Sequence, residues 1–276
     1  MLTLSMMQTM WPQNTSQPPR PAEQLLKCIA QDSARVFAKY GLNNDLLVAH
    51  AMSQFGHECG NGRAMTESIS YTPQRAAEVW PSRFSSAADC LAKVGCQAGD
   101  QNFPVKLINL VYGGRNGNRA GTDDGSRFIG RGLAQVTGRA NYEQLGKLTG
   151  LQLADQPDLV NQPEHALECG VGMFILRGCL EPAKANDVAR VTLKLNGGNV
   201  GLQDRIVKLD QWKSALLQHA LNRLKVADPA LVTDGQFGKK SIEALMNFQR
   251  RHQIEPNGNR DDARTLDEIE NALAAL

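Results

Sequence analysis

A mainly helical fold with one small extended element is predicted by three features of this 276-residue chain. Apolar residues recur at helical spacing over most of its length. Capping residues and glycines mark where the periodic runs begin and end. One short stretch, FIGRGLAQVT, reads as a strand or hairpin arm. A hydrophobic content of 42% is enough for an ordinary packed core, and the length accommodates one or two domains.

Residues 1–22 read as an irregular arm. MLTLSMMQTMWPQ has no basic start and an interrupted apolar run, unlike a signal peptide, and QNTSQPPRPA is polar and proline-rich. A first helix follows in AEQLLKCIAQDSARVFAKYG, with Leu25, Ile29, Val36 and Phe37 on one face and Gly41 as its stop. A second runs from Asn44 or Asp45 to about Cys59, where Gly60 and Gly62 end it. The segment GGRNGNRAGTDDGSRFIGRG is a long glycine-rich loop leading into FIGRGLAQVT. Read as a strand or hairpin arm, that stretch puts Arg131, Gln135 and Thr137 on one side. Helices are expected over about 140–149, 163–179 and 185–195, then a glycine turn in LNGGNVGLQDR. Three short helices close the chain, with Leu216, Leu217, Ala220, Leu224, Ile242, Leu245 and Phe248 as their apolar positions. The expected division is an arm (1–22), a larger domain (23–212) and a small three-helix domain (213–276). A single helix over residues 201–225, shared by both domains, is the alternative at the boundary.

The net charge of +2 gives no case for nucleic acid, which calls for a strong, clustered basic excess. No apolar run approaches the roughly 18–20 residues that span a bilayer, so membrane insertion is not expected. The six cysteines lack zinc-site spacing. Cys169 and Cys179 on one helix would stand about 15 Å apart along its axis, too far to pair. Buried free thiols are expected, with a Cys90–Cys96 bridge the one local possibility.

The chemistry concentrates in HECGNGRAMTES and GRGLAQVTGRANY. Leu47, Ala51, Phe55 and Glu58 are spaced by four, four and three, so Glu58 continues an apolar helical face in its last turn. Burial and the negative helix end both favour a protonated carboxyl there, the property a general acid needs. Glu67 lies beyond the glycine break, in phase with Met65, Ile69 and Tyr71 if extended. Two carboxylates in different surroundings are the minimum requirement for cutting a glycosidic bond. Taken singly, both glutamates also suit solvated or capping roles. Asn61 stands where HExxH would need its second histidine, which disfavours a zinc peptidase. A Cys59 thiol nucleophile lacks a histidine that the sequence can select as its partner. Gln135 and Thr137 alone would equally suit an exposed strand face, Arg115 and Arg205 a structural ion pair, and Asn196 a turn before Gly197 and Gly198.

As an ordered set, AHAMSQFGHECGNGRAMTESISY, VYGGRNGN, FIGRGLAQVTGRANYEQLG and LNGGNVGLQDR resemble the chitinase-like catalytic domain of glycoside hydrolase family 19, in particular its bacteriophage endolysin branch. The resemblance covers about residues 25–212. It implies an α+β, lysozyme-like, two-lobed domain with a cleft, and hydrolysis by single displacement with inversion. Glu58 then matches the general acid and Glu67 the general base. Thr137 matches the hydroxyl residue that positions water, where plant chitinases carry serine. Tyr112, Arg115, Gln135, Asn141, Asn196 and Arg205 match polar substrate-binding positions. LLQHALNRL, DGQFGKKSIEALMNFQRRH and, more weakly, NGNRDDARTLDEI resemble a three-helix peptidoglycan-binding module, with Asp234, Phe237, Phe248 and Gln249 as the signature.

The resemblance implies an enzyme of the lysozyme (muramidase) type that cuts β-1,4 bonds in peptidoglycan strands and lyses bacteria. Carboxylates and a water suffice for this chemistry, so no metal or organic cofactor is expected. A monomer is expected, made in the bacterial cytoplasm and acting on the cell wall, with a separate export or pore-forming protein aiding its release. A chitinase on the same fold, an injected antibacterial effector, a lytic transglycosylase and a non-catalytic wall-binding protein are the alternatives.

Overall fold

The computed structural model describes residues 1–12 and 23–276. Among these residues the fold is mainly α-helical. In chain order the helices are α1 (Leu4–Met10), α2 (Glu23–Lys39), α3 (Asp45–Glu58), α4 (Pro73–Val79), α5 (Ala87–Val94), α6 (Phe103–Tyr112), α7 (Asp124–Arg127), α8 (Arg139–Thr149), α9 (Pro163–Leu176), α10 (Leu180–Lys184), α11 (Val188–Asn196), α12 (Leu202–Arg223), α13 (Lys239–Arg251) and α14 (Ala263–Ala274), with a 3-10 turn over Pro157–Asn161.

The centre of the fold is α3. Asn44 caps it, its side chain accepting the Leu47 N–H at 3.0 Å. From Leu47 to Gly56 every residue is buried, as expected of a helix enclosed on all sides rather than lying on a surface. It packs along α12, while α2 packs along α9. Phe55 meets Phe174 of α9 edge-on, ring centroids 6.5 Å apart. The resulting core extends from Leu2 to Leu216. A second core joins Phe84, Cys90, Phe103, Leu107 and Val111 of α5, α6 and the loop before them, with Tyr71, Trp80 and Tyr112 packed against it. These two cores are the two lobes, and the segment carrying Glu67 runs between them.

The N-terminus differs from the expected irregular arm. Residues Leu4–Met10 form a helix capped by the Thr3 hydroxyl, which accepts the Met6 N–H. Leu2, Met6, Met7 and Trp11 are buried in the main core. The interrupted apolar run is one face of this short helix, and burial against α2 stabilises it. Residues 13–22 of the expected arm lie outside the described residues.

The extended element is smaller than expected. Arg131 bridges Thr66 and Val136 in antiparallel fashion, and residues 132–135 form a tight turn between Arg131 and Val136. Gln135 adopts φ +47°, so the alternation of FIGRGLAQVT is broken. Arg131 therefore does not share a side with Gln135 and Thr137. Its buried side chain donates to the Arg127 carbonyl at 2.8 Å and to Tyr142 Oη at 3.3 Å, and lies 2.8 Å from Asp158.

At the other end, α12 is one 22-residue helix, about 33 Å long at 1.5 Å per residue. Leu216 belongs to the main core and its neighbour Leu217 to a third core, with Ala220, Leu221, Ala244, Leu245, Phe248 and Ile269. The continuous-helix alternative describes this stretch. Ile242, expected inside, is 39% exposed, because α13 turns Ala244, Leu245 and Phe248 inward instead. Salt bridges from Arg260 to Asp210 and from Lys213 to Asp261 fasten the loop before α14 to α12. All six cysteines are free thiols and five are buried; Cys179 lies just beyond the end of α9.

Candidate active site

Glu58 ends α3 with 13% of its side chain exposed. Its Oε1 accepts a hydrogen bond from Arg205 Nη2 at 2.5 Å. Arg205, in the first turns of α12, is 1% exposed, and its Nη1 donates to Gln54 Oε1. The sequence expectation for Glu58 counted burial and the helix end. The buried guanidinium is a partner outside that expectation.

Gly201 allows α12 to begin this close to α3. It adopts φ +73°, and a Cβ there would lie 2.2 Å from His57 Cε1. His57 Nδ1 in turn meets Asp204 Oδ2 at 2.6 Å. The two contacts fix the turn that delivers Arg205.

Glu67 stands in different company. Met65, Glu67, Ile69 and Tyr71 are half-buried while Thr66, Ser68 and Ser70 are exposed, the alternation expected of an extended segment. Glu67 exchanges two hydrogen bonds with Gly130: its N–H donates to the Gly130 carbonyl at 2.8 Å, and Oε2 accepts the Gly130 N–H at 3.0 Å. Its Oε1 accepts from the Tyr112 hydroxyl at 2.5 Å. Burial, and then the Glu67 carboxylate, push the Tyr112 hydroxyl well above the ordinary phenol range. Tyr112 is thus a donor to Glu67 at any ordinary pH.

Gly130 marks where the second motif meets the first. A Cβ at that position would stand 2.8 Å from Gln135 Oε1, 3.2 Å from Thr137 Oγ1 and 3.3 Å from Glu67 Oε2. The positive φ that breaks the strand thus turns Gln135 toward Glu67. The Gln135 amide nitrogen is anchored by the carbonyls of Ala64 and Gly132, at 3.2 and 3.3 Å. Thr137 donates to the Gln135 carbonyl at 3.0 Å, and Asn141 Nδ2 donates to the Thr137 carbonyl at 2.6 Å.

The structure therefore gathers Glu67, Tyr112, Gln135, Thr137 and Asn141 into one group, and Glu58 with Arg205 into another on α3 and α12. Arg115 is exposed in the loop after α6, its N–H bonded to the Tyr112 carbonyl at 3.2 Å. Asn196 is exposed at the end of α11, and among the described residues no hydrogen bond joins its side chain to either carboxylate. Behind the Glu67 group, fully buried Asp124 binds Arg119 and Arg139, tying the loop after α6 to the start of α8. Cys59 is no nucleophile: burial pushes its thiol up to about 12, and its sulfur donates to the Phe55 carbonyl.

In the C-terminal region the signature residues serve the fold. Phe248 and Gln249 are fully buried, so these two signature residues pack the module rather than line its surface. Gln249 bonds Asn257 and Thr265 through its nitrogen and the Gly258 N–H through its oxygen, at 2.8, 3.0 and 3.0 Å. Asp234 accepts from the Gln218 side chain and from the Gln236 N–H, and Phe237 packs against the third core. A groove of about 300 Å³ on the module has a lining that includes Pro229, Leu231, Val232, Lys239, Lys240 and, of the signature residues, Asp234.

Sequence reasoning missed Gln54 and Asp204. Gln54 was within reach, since it lies four residues before Glu58 on the same helical face. Asp204 carried no comparable signal.

Comparison with known proteins places these features. Residues 214–266 match a family model described as "Putative peptidoglycan binding domain". A glycosyl hydrolase family 19 domain-containing protein of Haemophilus influenzae is 26% identical over 181 residues, 65% of this chain and 85% of the relative. Two endochitinases of Arabidopsis thaliana are 35% and 33% identical over 75 residues, 27% of this chain and 26% of each plant protein. Among solved structures, chitinase C from Streptomyces griseus HUT6037 aligns with 76% of this chain and 74% of its own, with 16% identity and a TM-score of 0.47. The chain is a homologue of a glycosyl hydrolase family 19 domain-containing protein, with a C-terminal match to a peptidoglycan-binding domain.

Proposed function

We propose that the protein is a cell-wall glycosidase that hydrolyses β-1,4 bonds in peptidoglycan strands by single displacement, in the manner of an endolysin. The observation that carries this reading is the unlike surroundings of the two glutamates. Glu58 lies at the buried end of α3 against a guanidinium, and Glu67 is held by a phenol hydroxyl and a backbone N–H beside two further polar side chains. Unequal environments are what allow one carboxyl group to give a proton while the other takes one.

In this scheme Glu58 protonates the leaving sugar oxygen, with Arg205 compensating the negative charge left on the carboxylate. Glu67 takes a proton from water, which Thr137 and Gln135 help to hold. Hydrolysis of this kind sets the two carboxyl groups roughly 6.5–9.5 Å apart, with the water between one of them and the sugar. Tyr112 orients Glu67, Asn141 braces Thr137, and Arg115 and Asn196 serve the outer subsites. Residues 23–212 form the catalytic unit. Residues 213–276 bind the wall through a surface groove and raise the local concentration of substrate. The enzyme acts as a monomer and reaches the wall with the help of a separate export or pore-forming protein.

Digestion of purified sacculi followed by mass spectrometry tests the reading. New reducing ends with a mass gain of one water per cut are expected. Anhydro-sugar ends would instead identify a lytic transglycosylase, which has no use for Glu67 as a base. The similarity to plant endochitinases favours chitin as the second candidate substrate. Release of sugar from chitin with no attack on sacculi would establish it.

A further inference from the structure

We propose that Gln54 and Thr192 are positioning residues for the Glu58–Arg205 pair, acting through a buried polar chain that fixes which end of the Gln54 amide faces Arg205. This rests on the functional reading above and adds two residues to it. The chain begins at Thr192 in α11, whose hydroxyl donates to the Val188 carbonyl at 2.7 Å. With its proton committed, that oxygen serves as an acceptor, and Gln54 Nε2 donates to it at 3.2 Å. The Gln54 carbonyl oxygen is thereby turned to Arg205 Nη1, and Arg205 Nη2 goes to Glu58. Thr192 and Gln54 are 0% exposed and Arg205 1%, so no bulk water can take a place in the chain. Among the described residues, Arg205 Nε has no partner. The guanidinium is therefore held by one neutral acceptor and one carboxylate.

The use of a neutral amide matters. A carboxylate at position 54 would compete with Glu58 for the guanidinium, whereas glutamine anchors Arg205 and leaves its charge to Glu58. Glutamine can do so only in one orientation, since the flipped amide would present an NH2 group to another N–H donor. Thr192 selects that orientation. Charged and titratable groups near the pair include Asp204 and Lys208 of α12, which pair with each other, and His57 and Cys59 beside Glu58, the former bonded to Asp204; from α11 Gln54 meets the neutral Thr192.

The test compares Thr192→Val, Thr192→Ser and Gln54→Glu in the full chain, on whichever of purified sacculi or chitin oligosaccharides the wild type cleaves. Thr192→Val keeps the shape and removes the selecting hydroxyl. It is expected to lower kcat about tenfold or more with KM changed by less than about twofold, since misplacing a catalytic group costs turnover more than binding. Thr192→Ser restores the hydroxyl and should return kcat to within about threefold of wild type. In Gln54→Glu, the added negative charge should move the basic limb of the kcat/KM profile upward by about half a pH unit or more. A Thr192→Val enzyme as active as wild type, a Thr192→Ser enzyme as impaired as Thr192→Val, or an unmoved basic limb would overturn the proposal. An inactive wild type would instead overturn the functional reading, and this inference with it.

Discussion

The surroundings of Glu58 and Glu67 differ in almost every physical respect. Glu58 sits on a helix, within the packing of the main lobe, against one formal positive charge. Glu67 sits on an extended segment between the lobes, and its partners are a phenol hydroxyl and a backbone N–H, both neutral. The support behind each differs too. Arg205 is anchored by a buried chain of neutral side chains, while the loop that follows Tyr112 is tied to α8 by the ion cluster at Asp124. The contrast teaches that residue type alone does not assign a role. In the proposed mechanism, two glutamates become an acid and a base because the chain supplies different partners from distant segments.

The sharpest way to break the contrast is to neutralise one side at a time. Glu58→Gln should lower kcat by roughly 10³-fold or more, at the upper part of the range for removing general acid catalysis, with binding to sacculi in a pull-down unchanged. Glu67→Gln should lose roughly 10²–10³-fold, because in the proposed mechanism Thr137 and Gln135 still position the water, which retains some reactivity. Equal losses would show that the two surroundings do not confer distinct roles. Arg205→Lys keeps the charge but not the fork that reaches Gln54 and Glu58 together. A kcat loss of roughly 10–100-fold is expected, and wild-type turnover would mean that charge alone matters. Tyr112→Phe removes one hydrogen bond to a carboxylate and should cost roughly tenfold in kcat.

The smallest effect on turnover belongs to Asp124→Asn, whose consequence is stability. The Arg139 guanidinium, followed by Arg119, holds the Asp124 carboxyl far below the usual carboxylate range and outweighs burial. A depressed folded-state value stabilises the fold at pH above the unfolded value of about 4, and that stabilisation is lost progressively as pH falls below it. Thermal melts at pH 7 should place Asp124→Asn below wild type by roughly 2–3 kcal/mol. The gap should narrow toward pH 3. A gap independent of pH would remove the ion cluster as its cause.

What the sequence revealed follows the distance over which each feature acts. The face carrying Glu58 was legible because four residues of one helix share a period, and the in-out alternation around Glu67 was legible for the same local reason. Gln54 was legible in principle at one helical turn from Glu58. The Arg205–Glu58 contact spans 147 positions and had no local signal beyond the resemblance. Of the strand or hairpin reading of residues 128–137, only the short antiparallel bridges at Arg131 form, because Gln135 takes a left-handed conformation that apolar alternation does not report. The N-terminal helix was missed because seven residues carry too little periodicity, and tertiary burial of Met6, Met7 and Trp11 decided its structure. Phe248 and Gln249 teach a separate lesson: their motif reports how the C-terminal helices pack, and the surface available to a ligand lies on other residues.

The proposed mechanism depends most on a water attacking the sugar directly from the face opposite the departing oxygen. Proton NMR of the first product formed from a β-1,4-linked oligosaccharide, recorded before the anomers equilibrate, tests this step. The α-anomer should appear first, with the β-anomer growing in by mutarotation. A first product with β configuration would mean a retained centre and a different role for Glu67, and would contradict the account.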